Sequence, residues 1–403
     1  MAKILIISAV FLPEPVVSAN LSYDIACSLS EKNTVTVISP KPSRPFGFQF
    51  SSKSISLSFK HILSTSFVHA ESGVMGRFRE SYSFGIYCYK YIADNYQNID
   101  CIYANTWPLL GQYFAVKAAS KFDIPIIIHV QDIYPESLSK KLPFAKSIFT
   151  GALLPLDKYI LRKASKVIAI SQKMKDYLVK SRKLDSNKIS VIPNWQDEES
   201  FLNYQKQPGN NAGKPFTFMY LGNIGPVAGV DLLLKAFAKG NLKNARLVIA
   251  GSGSMKESLV AQAEDYSDCI IEFWPVPEGK VPEVQSVSDV LLLPVKKGNA
   301  STSIPSKLPA YMFSASSIIA CVDEYSDTAS VINSANCGYV VEPENVESLA
   351  LVMKQVCYME KSFLEKLGMN GREYALLNLS KKINLQKMVS VIENLVYGDK
   401  KDR

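Results

Sequence analysis

The feature that most constrains the fold is an alternation of short β-branched runs with segments that have the apolar spacing of helices. Residues 3–8 and 34–39 indicate strands, and residues 18–30, between them, repeat apolar side chains every three or four positions. Such alternation predicts parallel sheets covered by helices on both faces. In the first half, further strands are expected at 99–104, 124–130, 166–171 and 188–193, and helices at 80–96, 110–121 and 144–164.

A polar segment at 196–214, which carries Pro208, Gly209 and Gly213, separates this series from a second one and is typical of a linker or surface loop. We therefore predict an α/β protein with two Rossmann-like domains, 1–195 and 196–380, that face each other across a cleft. In doubly wound sheets, ligands bind beyond the carboxyl ends of the strands. In the second half the sequence predicts strands at 216–221, 246–250, 270–273, 290–294 and 317–322, and helices at 230–238 and 306–313.

Composition excludes some classes of protein. No stretch approaches the roughly 20 apolar residues of a membrane-spanning helix, and residues 1–10 have the pattern of a first strand rather than of a signal peptide. The seven cysteines are scattered without CxxC pairs, and the chain has three His. We therefore expect reduced thiols, no metal site and a cytoplasmic protein.

Positive charge is concentrated in one segment. The chain carries a net charge of +8, yet residues 137–188 hold thirteen Lys/Arg against three Asp/Glu, a local net charge of +10. This concentration is typical of proteins that bind an anionic partner: a phosphate-bearing substrate, an acidic membrane or a nucleic acid. No nucleic-acid recognition motif accompanies it, so nucleic acid is not expected as a partner. A solvated basic helix face explains the same charge equally well.

Two strand-to-turn junctions in the second half carry paired glycines, GNIG at 222–225 and GSGS at 251–254. Glycine allows backbone N–H groups to approach a phosphate closely, and a following helix N-terminus favours negative charge. The alternative is that tight strand-to-helix turns require glycine without any ligand. The candidate nucleotide-binding residues here are Gly222, Asn223, Gly225, Gly251 and Gly253.

Polar residues at two other strand ends are candidates for the chemistry. Ser306 and Lys307 begin a predicted helix, where a hydroxyl, a cation and free N–H groups suit a diphosphate. An N-cap serine beside a solvated lysine gives the same pattern. In the first half, His129 and Asp132 stand where a predicted strand ends. Either could bind a sugar or transfer a proton, and either could be structural, Asp132 as the cap of a turn.

These residues belong to a longer series of motifs that resembles a known family. The series resembles the retaining glycosyltransferases of family 4, which have the GT-B fold, and among them the bacterial enzymes that build capsule, colanic acid or O-antigen. In order, over nearly the whole chain, the motifs are FLPEP, HVQDIYPES, KVIAIS, KISVIPNW, YLGNIG, LVIAGSGS, VPEVQSVSDVLLLP, IPSKLPAYM and CGYVVEPENVESLA.

The resemblance implies a reaction and a set of partners. A hexose or N-acetylhexosamine would pass from a nucleotide diphosphate sugar, usually UDP-linked, to a saccharide acceptor that this subgroup commonly carries on a lipid. No metal or other cofactor is implied. A C-terminal helix within 381–403 would cross back onto the first domain.

The resemblance also implies roles on the donor side. Lys307, with Ser306 and with support from Lys296 or Lys297, would stabilise the departing diphosphate together with the glycine-turn amides. Val276 would lie against the nucleotide base, and backbone atoms of this segment would recognise the edge of the base.

On the acceptor side, His129 would touch the donor sugar and Asp132 would orient the acceptor. Retention without an enzymic nucleophile implies front-face attack, in which a leaving phosphate oxygen takes the proton of the acceptor hydroxyl. The contribution of the protein is then positioning and electrostatic stabilisation.

The sequence departs from the family pattern at four positions. Asn223 and Ala228 stand where most members have Arg and Lys, and the paired glutamates of the family would fall near Thr302 and Ala310. These losses leave two other functions open: a catalytically silent GT-B subunit for assembly or membrane docking, and a sugar-nucleotide epimerase of the same fold. An epimerase would use several acid–base residues, and three His make it the weaker alternative.

A membrane-binding surface is expected on the first domain. Residues 139–166 interleave apolar side chains with seven Lys/Arg, as in segments that lie in a membrane interface. Residues 41–90 add seven Lys/Arg against two Asp/Glu. We predict a protein that is peripheral on the inner face of the plasma membrane; the alternative is a core helix with a solvated basic face.

Overall fold

The structure, a computed structural model, describes residues 1–44, 57–68, 73–105, 109–136, 146–204, 213–226, 228–297 and 304–398. The chain divides into two units. The first unit comprises Met1–Asn194 and the C-terminal segment from Asn384 onward, and the second unit comprises Trp195–Ile383. Among the described helices, none is long and apolar enough to span a bilayer.

The first unit is built on seven parallel strands: β1 (Lys3–Ile7), β2 (Thr34–Ser39), β3 (Lys60–Leu63), β4 (Cys101–Asn105), β5 (Ile126–Val130), β6 (Lys166–Ala169) and β7 (Ile189–Val191). Their order in the sheet is β3-β2-β1-β4-β5-β6-β7, so the order reverses between β1 and β4. Central strands β4 and β5 are buried along their whole length, as expected when both faces of a parallel sheet are covered.

Among the described residues before 195, this unit has five α-helices: α1 (Val17–Ser30), α2 (Val74–Asn95), α3 (Leu109–Lys121), α4 (Lys146–Lys163) and α5 (Gln172–Arg182). Alternate residues of β4 and β5 pack with α3 and α4 in one core cluster. Helix α4 continues through Pro155. The sheet and these helices therefore form the doubly wound layers that the sequence predicts.

The second unit is built on six parallel strands: β8 (Phe216–Leu221), β9 (Ala245–Ala250), β10 (Ile270–Trp274), β11 (Val290–Pro294), β12 (Ser317–Cys321) and β13 (Gly338–Val341). Their order is β10-β9-β8-β11-β12-β13, which reverses between β8 and β11. Two core clusters, one on each face, bury alternate residues of β8, β9 and β11. The helices are α6 (Glu199–Leu202), α7 (Val230–Gly240), α8 (Lys256–Glu264), α9 (Val281–Gln285), α10 (Lys307–Phe313), α11 (Asp327–Ala335), α12 (Val346–Cys357) and α13 (Lys361–Asn378).

The last helix, α14 (Lys381–Gly398), begins at the end of the second unit and runs into the first. Its buried face consists of Asn384, Met388, Ile392 and Val396, which recur every four residues. Near its end, Tyr397 Oη donates to Asn33 Oδ1 at 2.6 Å. The helix thus belongs, from Asn384, to the same unit as β1 and β2.

The predicted linker is the main difference between sequence and structure. Residues 199–202 form a helix, and Phe201 is 5% exposed and packs its ring against Phe313 at 5.9 Å. The first part of the segment 196–214 is therefore part of the second core, not a solvated linker, and residues 205–212 lie outside the described part. Strand β3 was not expected, because the edge sequence Lys60–Leu63 lacks a β-branched run.

Candidate functional site

Lys307 is the centre of the candidate site in the second unit. It is the first residue of α10, and its Nζ donates to the hydroxyl of Tyr220 and lies 4.5 Å from the centre of that ring. The Tyr220 hydroxyl in turn donates to the carbonyl of Asn223 at 2.6 Å. Strand β8 supplies the tyrosine and the turn after β8 supplies the carbonyl, so the lysine lies where the strand order reverses.

The charge of Lys307 has little compensation. Among the described residues, no carboxylate lies within ion-pair distance of its Nζ, and burial lowers the pKa of the ammonium to about 8. A buried cation without a counter-charge is costly, and an anion beside it favours the charged form. The position is therefore suited to a ligand that carries phosphate.

Gly222 makes room for this lysine. A Cβ at position 222 would lie 2.2 Å from Lys307 Cε, and φ at Gly222 is +154°. The glycines of the second turn have a similar use, because a Cβ on Gly251 would lie 2.1 Å from the Gly222 carbonyl oxygen and one on Gly253 would lie 2.3 Å from that of Ile224. The two turns pack backbone against backbone, which is a structural reason for their glycines.

Several amides of these turns are already bonded. Gly222 N–H donates to the Ala250 carbonyl at 3.0 Å, and Ile224 N–H donates to the Ser252 carbonyl at 2.8 Å. Gly251 N–H donates to the Trp274 carbonyl at 2.9 Å. These bonds extend the parallel sheet into the turns. The expectation that the glycine turns hold a diphosphate through their N–H groups therefore does not extend to Gly222, Ile224 and Gly251.

A cavity of about 310 Å³ opens beside Lys307. Ser306 is an exposed part of its wall, and its side chain makes no N-cap hydrogen bond, so the capping alternative for this serine is wrong. Ala310 is also in the wall, whereas Thr302 lies outside the described residues. The residues that line the cavity are Gln196, Ser200, Phe201, Leu221, Gly222, Gly279, Val281, Pro282, Gln285, Ser306, Lys307, Ala310 and Tyr311.

The other donor-side candidates lie elsewhere in the second unit. Lys296 lines a separate cavity of about 230 Å³, and Lys297 pairs with Glu342 at 3.9 Å, so neither shares the wall of the Lys307 cavity. Val276 is half-buried against the second core. The neighbouring Trp274 donates its indole N–H to Glu272 at 2.7 Å.

In the first unit the structure separates His129 from Asp132. His129, on β5, has no exposed surface, and its Nδ1 lies 2.7 Å from the Tyr103 hydroxyl. Burial lowers the pKa of this imidazole to about 3, so it is neutral. The expectation that His129 faces an open edge is corrected: β5 is covered on both faces up to Val130, and the open surface begins after it.

Asp132 is exposed and lines a cavity of about 420 Å³ at the carboxyl ends of β1 and β5. Its Oδ1 accepts a hydrogen bond from Ile133 N–H at 2.9 Å, the local turn contact that the sequence also allowed. The carboxylate is therefore held by its own turn on the edge of a cavity.

A second carboxylate of this cavity was missed in the sequence. Asp157, on α4, is 6% exposed and accepts from Arg182 Nε at 2.6 Å. Arg182 is 1% exposed and also donates to both oxygens of Glu136 at 2.8 Å and to the Tyr134 carbonyl at 2.8 Å. Burial raises the pKa of Asp157 to about 6 against the attraction of Arg182. An acid inside the apolar run Leu153–Ile160 was the signal available in the sequence.

The chemistry that these sites permit differs between the units. The second unit offers a partly buried cation beside a cavity, and the first offers two carboxylates and the guanidinium of Arg44 at a cavity. Among the described residues there is no group of three or more His, Cys, Asp or Glu that could hold a metal ion. Two doubly wound units with sites at their strand ends define the class of fold, which is GT-B.

Family models identify the chain within this class. The model "Glycosyltransferase Family 4" matches residues 19–200, and the model "Glycosyl transferases group 1" matches residues 203–374. The chain belongs to glycosyltransferase family 4.

Individual relatives are distant. The chain is 23% identical over 315 residues to "Probable glycosyltransferase WbjE" of Pseudomonas aeruginosa, which covers 75% of this chain and 76% of that protein. It is 24% identical to WcaI of Escherichia coli K12, named for glycosyl transfer in colanic acid biosynthesis, over 58% of each chain.

Two solved structures show the same fold. Anabaena HepE in complex with UDP has a TM-score of 0.71 at 14% identity, covering 97% of this chain and all of that one. The sucrose-phosphate synthase of Thermosynechococcus elongatus has a TM-score of 0.75 at 15% identity, covering 99% of this chain and all of that one.

Proposed function

We propose that this glycosyltransferase moves a hexose or N-acetylhexosamine, with retention, from a UDP-linked sugar to a lipid-linked saccharide during surface polysaccharide synthesis. The observation that carries the proposal is Lys307, a partly buried cation that has no described counter-charge and opens onto a cavity. Solved HepE structures contain UDP or UDP-glucose, which supports the nucleotide class. The name of WcaI supports the polysaccharide setting.

Lys307 would act on the leaving group. A departing diphosphate develops charge on its bridging oxygen, and an ammonium placed there stabilises the transition state more than the ground state. Tyr220, which accepts from Lys307 and donates to Asn223, fixes the lysine in place. A phosphate oxygen would take the proton of the acceptor hydroxyl as the bond to the sugar forms on the face that the diphosphate leaves.

Asp132 would orient the acceptor in the cavity of the first unit. A carboxylate accepts hydrogen bonds from sugar hydroxyls, and Asp132 is the exposed one of the two acids at this cavity. His129 takes no part in contact with substrate in this proposal, because its side chain has no exposed surface.

We also propose that the protein acts at the inner face of the plasma membrane through its basic surface. Arg162 and Lys163 at the end of α4 are exposed cations. The apolar residues Leu153, Ile160 and Leu161 of the same helix are buried in the core, which favours the solvated-face alternative for this part of the segment. Docking would therefore depend on charge, and residues 137–145 lie outside the described part.

Calorimetric titration with UDP, followed by a donor hydrolysis assay, tests the proposal. We expect binding of UDP and slow release of free sugar from a UDP-sugar. A catalytically silent subunit would release no sugar from any nucleotide sugar, and that result would contradict the proposed function.

A further inference from the structure

Among the described residues of the second unit, Gln285, the last residue of α9, carries the least satisfied buried polar side chain. The residue has no exposed surface, and neither its Oε1 nor its Nε2 has a hydrogen-bond partner among the described residues. A buried amide that makes no hydrogen bond costs folding free energy, so such a group in a native protein calls for a partner. Gln285 lines the same cavity as Lys307.

Among the described residues, no polar side chain of the cavity wall is hydrogen-bonded to this amide, including Gln196, Ser200 and Ser306. Phe201, Val281 and Pro282 are apolar, and the Tyr311 hydroxyl is occupied by the N–H and carbonyl of Leu221 at 2.9 and 3.0 Å. A volume of about 310 Å³ is room for a ligand group, whose hydroxyls would replace at this amide the hydrogen bonds that water makes in the free cavity. In the liganded protein, the partner of Gln285 is therefore expected to come with the ligand.

The chemistry of a carboxamide limits what that partner can be. Its oxygen accepts and its NH₂ group donates, so an anion would satisfy Nε2 and repel Oε1, and a cation would do the reverse. Two neighbouring hydroxyls can satisfy both ends at once. No acidic side chain is among the described residues that line this cavity, so hydroxyl recognition there depends on neutral groups.

We propose that Gln285 binds a pair of neighbouring hydroxyls of the nucleotide sugar whose diphosphate lies on Lys307. The inference rests on the proposed function, because the diphosphate defines the ligand. Two parts of such a ligand carry neighbouring hydroxyls next to the phosphates, the ribose and the transferred sugar. The recognition would be neutral and would set specificity without contributing charge to the reaction.

The test uses titration calorimetry of the full chain with UDP, its 2′-deoxy analogue, UDP-glucose and inorganic pyrophosphate. Gln285→Met keeps the length of the side chain and removes both polar ends, and Gln285→Glu keeps the shape and loses the donor. Gln262→Met, on α8 and outside the cavity wall, is the matched control. Thermal unfolding of each variant establishes that it is folded.

If the hydroxyls belong to the ribose, wild type prefers UDP over 2′-deoxy-UDP by roughly tenfold, Gln285→Met removes that preference, and Gln285→Glu, whose carboxylate accepts from both hydroxyls, keeps it. If they belong to the sugar, Gln285→Met weakens UDP-glucose relative to UDP instead, and Gln285→Glu does not. Pyrophosphate affinity stays unchanged in either case.

Two negative results have different meanings. If the wild type binds UDP and both Gln285 variants bind every ligand as tightly as the wild type, Gln285 does not have the proposed role. The proposed function is unaffected by that result. Wild type that binds no nucleoside diphosphate overturns the proposed function itself. Should Gln285→Met fail to fold, Gln285→Leu, which also lacks both polar ends, takes its place.

Discussion

The cavities of the two units occupy corresponding places, and a buried or partly buried cation close to each is compensated differently. Each cavity lies at the carboxyl ends of strands near the point where the strand order reverses, β1 and β4 in one sheet and β8 and β11 in the other. In the first unit, Arg182 is buried with its donors directed at two carboxylates and a carbonyl. In the second, Lys307 has a tyrosine hydroxyl and no described acid.

The difference shows how burial can distinguish a structural cation from a functional one. The charge of Arg182 is compensated by carboxylates of its own unit, and its hydrogen bonds stabilise the positions of Asp157 and of the turn at Tyr134. Lys307 and Gln285 are left under-satisfied beside a cavity. Unsatisfied polar or charged groups in a native protein are expected at functional sites, where a bound ligand supplies the missing interactions. The following experiments test that distinction.

Arg182→Met should give the largest effect, and on stability. It would leave Asp157 and Glu136 without their buried cation, which costs about 3–5 kcal/mol of unfolding free energy. Urea unfolding measures the loss. Lys180→Met, an exposed position on the same helix, should change stability by less than about 0.5 kcal/mol. An equal loss in both variants would contradict the assignment of Arg182 as the compensated cation.

Lys307→Ala should lower turnover and leave stability nearly unchanged, the reverse of the effect expected for Arg182→Met. Turnover should fall by roughly 10²–10³, the cost of one transition-state stabiliser, with little loss of stability because an uncompensated cation is removed. Lys297→Ala, whose lysine pairs with Glu342 outside this cavity, is the control and should keep turnover near wild type. Near-normal turnover in Lys307→Ala would transfer the role to another cation.

Asp132→Asn should affect the acceptor alone. Without the carboxylate, orientation of the acceptor hydroxyl weakens, and we expect transfer to fall by about tenfold to a hundredfold with UDP affinity unchanged. Initial rates with saturating donor, together with calorimetry for UDP, separate the two. A loss of UDP affinity comparable to the loss of transfer would contradict the assignment of Asp132 to the acceptor.

How far the sequence predicts the molecule differs between fold and site. Short apolar runs such as residues 216–221 and 290–294 favour a parallel sheet covered on both faces, and the strands that were predicted form within a residue or two of the expected positions. Strands β3 and β13 were not predicted. Lys307 was chosen as a candidate for a related reason, because a helix start after a strand end lies where parallel sheets bind ligands. The structure places Lys307 beside a cavity, and its role stays a prediction.

The rest depended on tertiary contacts. The sequence places His129 near the end of a strand, where an open edge is expected. In the structure β5 is covered up to Val130, and the imidazole lies in the core. Gln285 carries no signal of a site in the sequence. Only the fold shows that its side chain is buried and that both polar atoms have no hydrogen-bond partner among the described residues. Arg182 is one of thirteen cations of a basic segment, and pairing with Asp157 and Glu136 distinguishes it from the others.

The pH dependence of UDP binding sharpens the assignment of Lys307. Its pKa is lowered to about 8 in the free protein, and a bound diphosphate requires the protonated form. Affinity should therefore be constant below pH 7 and fall as pH rises through 8, by roughly tenfold for each unit above it. Lys307→Arg stays charged and should lose this dependence. Calorimetry between pH 6.5 and 9.5 measures it, and a wild-type affinity that stays flat over this range would contradict the role.

The smallest expected effect concerns the basic surface of the first unit, where Lys163 is an exposed cation at the end of α4. Each Lys near an anionic membrane contributes about 1 kcal/mol, so Lys163→Gln should weaken binding to vesicles of anionic lipid by roughly fivefold. Lys366→Gln, exposed in the second unit, should leave it unchanged. Flotation of the full chain with anionic and with neutral vesicles measures both. Binding should decrease as salt rises, because the attraction is screened. A chain that does not float with anionic vesicles at low salt would contradict membrane docking and would favour a soluble acceptor.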